Sequence, residues 1–335
     1  MTLITPGRLF AIQCLLGAGL LTLGAMAGST GLQPVSEIFS NDAALQIVWD
    51  IRLARTLGAA CAGALLGLAG AIAQGLFRNP LADPYLMGSA SGAALAVAVS
   101  MALWGMTPLA VHWLPRVGLT TAAFIGATLA VLLSLLLARG ASHTLRLLLA
   151  GLVVGVLLGA LTAMVTQLAP QVLQALQGFL LGNTALLDWT GCAVLAGAWT
   201  VCAVLAWVMS PVLDGLTLGD ATARSLGLPL GRLRAGLVLV MALATGAAVA
   251  HTGLIAFVGL VAPHMVRSLV RVRHGSSVLL SSGMGAVLLM AADVLARLSL
   301  APLELPVGVL TAVLGGGYLM WLMHRGQATA PGDAA

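Results

Sequence analysis

The charged residues of this chain are so spaced that nine long tracts contain no Asp, Glu or Arg. They run 9–36, 56–77, 84–115, 117–138, 147–187, 189–213, 235–266, 275–292 and 305–324. An apolar helix needs about 20 residues to cross the hydrocarbon core of a bilayer. Seven of the tracts read as one span each, some with a loop attached. The tract 147–187 has room for a span plus a re-entrant or interfacial piece. Only 7% of the 335 residues are charged and 60% are hydrophobic, where a soluble domain carries roughly a quarter of its residues as charges. Such a chain cannot cover a water-facing surface, and the bilayer is its solvent.

The tract 235–266 is decided by arginines. Arg232 and Arg234 precede it, and Arg267, Arg271 and Arg273 follow it. Arginine marks cytoplasmic loops, so the tract must cross twice, turning near His251-Thr252-Gly253. The result is an all-α integral membrane domain, residues 1–326, of about ten helices with both termini cytoplasmic. Residues 327–335 are expected to be a disordered tail. In this topology Arg8, Arg78, Arg139, Arg146, Arg224, Arg232, Arg234, Arg267, Arg271, Arg273 and Arg325 lie inside, and only Arg52, Arg55, Arg116 and Arg297 lie outside. A nine-span chain would put one central arginine cluster on the wrong side. Arg8, an apolar run and Ala25-Met26-Ala27 imitate a signal peptide, but the run is long and reads as an uncleaved first helix.

Residue types exclude several chemistries. There is no lysine, hence no Walker A loop and no lysine Schiff base. If ATP drives this protein, another chain binds it. Cys14, Cys61, Cys192 and Cys202 lack CxxC spacing and read as small buried hydrophobes. No HExxH occurs, and "GSASG" at 88–92 has alanine where a nucleophile elbow needs serine. His251 and His264 have no companions at ligand spacing. Pro263-His264 reads as a helix irregularity with a hydrogen-bonded ring. The net charge of +5 reflects loop arginines and does not point to nucleic acid.

Several segments stand out from the apolar background. In "GLFRNPLADPYLMG", 75–88, Pro80 and Pro84 forbid a continuous helix, and Asn79 and Asp83 can bond the freed backbone. It is either a rigid turn or a constriction at the inner mouth of a pathway. In "LTLGDATARSLGLPLGRLR", 216–234, Asp220 suits an N-cap, 221–226 a short helix, and Gly227 its C′ position, with Pro229 beyond. So short a helix needs a surface to dock on. Arg52, Arg55 and Arg297 either snorkel to headgroups or offer sockets to acidic side chains. Asp293 and Glu304 are placed to pair with Arg297. Gly151, Gly155 and Gly159 form a small-residue stripe for close helix packing. Gln167, Gln171, Gln174 and Gln177 recur at helical steps, with Pro170 in a first turn, as a pore lip or the wet face of an interfacial helix. Arg55 opens a helix ending "GLFRNPLADP" and Arg234 one leading into "GLIAFVGLVAPH", either an inverted repeat of the kind transporters use or chance likeness.

Taken together, "RLARTLGAACAGALLGLAGAIAQGLFRNPLADPYLMGSASGA", "GDATARSLGLPLGRLR", "GLIAFVGLVAPHMVR" and "ADVLARLSLAPLELPVGVLTAVLGG" resemble the FecCD family over Ile51 to Leu322. These are permease subunits of bacterial ABC importers for iron chelates, haem and vitamin B12. The resemblance implies a type II importer permease fold in the inner membrane and a homodimer with a central pathway. It implies two ATPase subunits inside, holding ATP and Mg, and a periplasmic binding protein outside. This chain itself would bind no cofactor and catalyse nothing. Carried over by position, Arg52, Arg55 and Arg297 match the docking sockets, although Ala54 replaces the family's usual proline. Asn79 and Leu81 match the cytoplasmic gate. Gly219, Asp220, Ala221, Ala223, Arg224, Leu226 and Gly227 match the coupling helix. Gly151, Gly155, Gly159, Gln167, Gln171 and Gln174 match the pathway wall and periplasmic gate. The wording of 74–84 is nearest the haem branch, with ferric siderophore or vitamin B12 as the other cargoes. Of the rival classes, an ion-coupled transporter would place paired acids near the midplane, and an intramembrane enzyme would need a nucleophile–base pair.

Overall fold

A computed structural model describes residues 4–28, 31–34, 41–104, 113–138, 144–219, 222–223 and 229–327. The helices are α1 (Pro6–Met26), α2 (Asp42–Ile47), α3 (Ala54–Phe77), α4 (Ser89–Trp104), α5 (Trp113–Leu137) and α6 (Thr144–Leu168), then α7 (Gln171–Leu181), α8 (Trp189–Thr217), α9 (Leu230–Thr252), α10 (Val258–Leu269), α11 (His274–Leu298) and α12 (Val307–Gln327). A π-helical turn, Val48–Leu53, joins α2 to α3, and a 3-10 turn, Pro84–Met87, precedes α4. Two-residue strands, Ala27–Gly28 and Gly31–Leu32, pair antiparallel after α1.

Eight of these stretches are long and apolar enough to span a bilayer: α1, α2–α3, the Val117–Leu137 part of α5, α6, α8, α9, α11 and the Val307–His324 part of α12. Two shorter helices, α4 and α10, have 16 and 12 residues, and α4 is apolar. The tract 147–187 resolves into α6 and the short α7, as its length requires. The tract 235–266 turns at Gly253, whose φ of 67° closes α9. At 1.5 Å per residue α10 is about 18 Å long, too short to cross alone. The irregular stretch 253–257 leads into it, buried at Gly253 and Ile255 and half-buried at Leu254, Ala256 and Phe257, and irregular backbone at membrane depth needs such protein cover. Pro263 sits inside α10 without interrupting it, and His264 Nδ1 is buried with no partner while its ring stands edge-on to Tyr318. The expected irregularity with a hydrogen-bonded ring is therefore not what forms.

Helix α3 is the axis of the fold. Its apolar window is 83% buried, against 17% for α1 and 22% for α6 and α12. Glycines permit this enclosure, because a Cβ at Gly63 would lie 2.3 Å from Gly285 O and one at Gly70 only 1.6 Å from Gly259 O. Backbone-to-backbone approach of this kind replaces hydrophobic drive inside a membrane, where lipid is as apolar as leucine. Cys61 of α3 and Cys192 of α8 lie thiol to thiol, a juxtaposition that 130 intervening positions hide in the sequence. Helices α6 and α12 keep long apolar faces exposed, among them Leu149, Leu152, Val156, Val313 and Met320.

Candidate functional site

Chemistry concentrates at the two ends of the bundle. At the arginine-rich end the chain between α3 and α4 is a fixed turn. Arg78 adopts φ 50° and Gly88 φ 81°. Asn79 Oδ1 accepts from Leu81 N at 2.9 Å, and Asp83 Oδ1 from Tyr85 N at 2.7 Å, so both side chains satisfy the freed backbone as their types predict. Tyr85 donates to Ile255 O at 3.2 Å, Ser134 to Met87 O at 3.0 Å and Arg267 Nη2 to Pro80 O at 3.4 Å. Burial pushes the Asp83 carboxyl up to about 6 despite that amide bond. Leu81 remains 45% exposed at the tip.

Of the segment after α8, Gly219 takes φ 96°, and Ala223 is buried and donates its N–H to Gly219 O at 3.0 Å. Asp220, Ala221, Arg224, Leu226 and Gly227 lie outside the described residues. Gly151 packs tightly, since a Cβ there would lie 2.2 Å from Leu86 O, whereas Gly155 is loosely met and Gly159 meets nothing within 4 Å. The glycine stripe is thus used at one position within the chain. The glutamine series also divides. Gln167 belongs to the last turn of α6, and Pro170 caps α7, which carries Gln171, Gln174 and Gln177. Gln171 and Gln174 line a cavity of about 670 Å³ with Met101, Leu119, Asp188 and His251.

At the opposite end the three expected sockets converge, but inward. The π-turn supplies the extra residue that swings Arg52 to the inside, and π-turns favour functional positions. Arg52 donates to Ala25 O at 3.2 Å and Gln33 Oε1 at 2.8 Å. Arg55 Nε meets Asp293 at 2.9 Å and its Nη1 meets Glu304 at 2.6 Å. Arg297 pairs with the same Asp293 and also donates to Gly24 O and Thr56 Oγ1. Thr184 Oγ1 donates to Asp293 at 2.5 Å. Asp293 does pair with Arg297, as expected, but Glu304 turns to Arg55. The physical reason is that two guanidiniums brought below the surface need carboxylates at hand. Arg55 and Arg297 are 6% and 2% exposed, so neither stands open in this state. Sequence reasoning missed Thr56 and Thr184 because lone threonines in apolar helices carry no signal of their own.

Comparisons with known proteins agree with this geometry. A model of the FecCD transport family matches residues 14–325. The chain is 36% identical over 322 residues to the hemin transport system permease protein HmuU of Yersinia pestis, covering 95% of each. It is 36% identical over 314 residues to the vitamin B12 import system permease protein BtuC of Pectobacterium atrosepticum, covering 92% of this chain and 90% of that one. A solved structure described as an inward-facing metal-chelate type ABC transporter superposes with a TM-score of 0.85 at 27% identity, over 96% of this chain and 100% of that one.

Proposed function

The chain belongs to the FecCD transport family and is an ABC importer permease of the inner membrane, and from that premise we propose that its cargo is an iron chelate, with haem the first choice. The carrying observation is the similarity to a hemin permease along 95% of both chains. Vitamin B12 is the second reading, on the equal identity to a B12 permease. In this reading two copies of the chain enclose a pathway along the exposed faces of α6 and α12. A separate ATPase pair works on the 216–234 segment at the arginine-rich, cytoplasmic end, and both termini lie on that side. A periplasmic binding protein delivers cargo at the other end.

The residues then take the following roles. A carboxylate of the binding protein reaches Arg55 by displacing Glu304, the half-exposed member of the cluster, and meets Arg52 beside it. Arg297 acts behind them through Asp293. Asn79 and Leu81 form the inner gate. Gly219 and the residues around Ala223 seat in the ATPase, with the buried Ala223 anchoring the segment to the bundle. Gly155, Gly159 and the glutamines at 167, 171 and 174 line the pathway and its outer gate, with Gly151 packed behind them against Leu86. Transport is alternating access, with selectivity left to the binding protein, since a path that bound tightly would not release its cargo. The test is ATPase stimulation in the reconstituted complex with its binding protein, comparing hemin, cyanocobalamin and a ferric hydroxamate. Hemin alone should stimulate. Stimulation by cyanocobalamin alone would transfer the assignment to the second reading.

A further inference from the structure

The arginine-rich end holds a joint that the roles above leave unused. Asp214 lies in the last turn of α8, four residues before the chain enters Leu218 and Gly219. Its Oδ1 accepts the backbone N–H of His274 at 3.1 Å and contacts the ring Nδ1 of the same residue at 2.7 Å. His274 opens α11, and its N-cap residue, Arg273, makes no side-chain capping bond. Asp214 therefore caps α11 from another helix, a favourable place for a carboxylate.

The His274 ring also bears on α3. A Cβ at Gly75 would lie 3.2 Å from His274 Cδ2, 3.4 Å from its Nε2 and 3.2 Å from Leu213 Cδ2. The last turn of α3 is thus wedged against the end of α8 and the start of α11 at one point. Gly275 presses on Ser210 in the same way, with 2.9 Å from its would-be Cβ to Ser210 Oγ. Three residues past Gly75, Arg78 turns left-handed and the gate loop begins.

We propose that the Asp214–His274 pair is the joint through which the 216–234 segment sets the position of the 78–88 gate loop; this rests on the permease reading. A shift of the segment moves Asp214, Asp214 carries the N-terminus of α11, and His274 bears on Gly75 at the root of the gate. His274 is a positioning residue that touches no cargo.

The experiment uses the complex with its ATPase in inside-out vesicles and a Leu81→Cys reporter. A water-soluble maleimide labels the reporter without nucleotide and with ATP plus vanadate, and the chain without the reporter sets the background. The labelling rate should change on the order of fivefold or more between the two conditions, the low end of coupling between sites. His274→Ala should reduce the change below about twofold while co-purification with the ATPase and the melting midpoint stay as before. His274→Asn, which can still donate to Asp214, should restore it, an outcome that loss of packing alone does not produce. Should His274→Ala fail to assemble, Asp214→Asn decides, because it keeps an acceptor for the His274 amide and loses only the charge; an intermediate change is expected. A full change in both variants overturns the joint. A reporter that never responds to nucleotide overturns the gate role proposed for 78–88, and the joint with it.

Discussion

Replacing Asp293 by Asn tests the energetics of the inward-turned cluster. Asp293 is 0% exposed and is the one carboxylate shared by Arg55 and Arg297, whose side chains are 7% and 2% exposed. The substitution keeps the shape but leaves one carboxylate, Glu304, against two buried guanidiniums. Breaking a buried pair by removing one partner costs about 3–5 kcal/mol. Glu304→Gln breaks a pair whose acidic member is 32% exposed, and water screens that loss to about 1 kcal/mol or less. Equilibrium unfolding in mixed micelles should therefore rank Asp293→Asn several times more costly than Glu304→Gln. Replacing Arg55, Asp293 and Arg297 together by Met, Leu and Met should recover most of the stability, because it removes the charges with their desolvation. Equal costs for the two single variants, or a triple variant worse than Asp293→Asn, would refute the reasoning.

Three further outcomes are expected. The folded chain holds the Asp83 proton up to about 6, above the ordinary ~3.9, so this group's contribution is present below the ordinary value and is lost as pH rises through about 6. Asp83→Asn keeps an acceptor for Tyr85 N and removes that loss, gaining at most about 3 kcal/mol over the parent at pH 7 relative to acid; parallel pH–stability profiles would contradict it. Copper-phenanthroline oxidation should join Cys61 to Cys192 within one chain, so that proteolytic cleavage between α3 and α8 separates the fragments only after reduction; fragments separable without reductant would show the α3–α8 contact to be wrong. Gly151→Ala forces a methyl onto Leu86 O and should cost about 1–3 kcal/mol, while Gly159→Ala meets nothing within the chain and should cost under about 0.5 kcal/mol. Equal costs in the same unfolding assay would remove the distinction between the two glycines.

The spans were legible because charge is so costly in lipid that its absence draws their borders. The division of 235–266 into two helices could be read from arginines on both flanks, and the turn fell at Gly253 as expected. The close seating of α10 on α3 was not legible, because Gly70 meets Gly259 across 188 intervening positions. The 75–88 turn could be read from Asn79, Asp83 and two prolines, all local signals. The arginine cluster could be read in membership but not in direction. A π-turn and the buried carboxylate of Asp293 turned it inward, and neither leaves a periodic mark in the sequence. The glutamine face looked continuous because spacing alone does not show the break between α6 and α7 at Ala169-Pro170. Asp214 and His274 gave no hint of each other, since neither stands at a ligand spacing or in a motif.

The central claim is that this chain is a conduit whose motor is a separate ATPase. The most direct measurement is uptake of hemin into proteoliposomes containing the chain alone, the chain with its ATPase, or both with the binding protein, each with and without ATP and a protonophore. Uptake is expected only in the full assembly, abolished without ATP and indifferent to the protonophore. Transport by the chain alone, or uptake that ends with the proton gradient and ignores ATP, would contradict it.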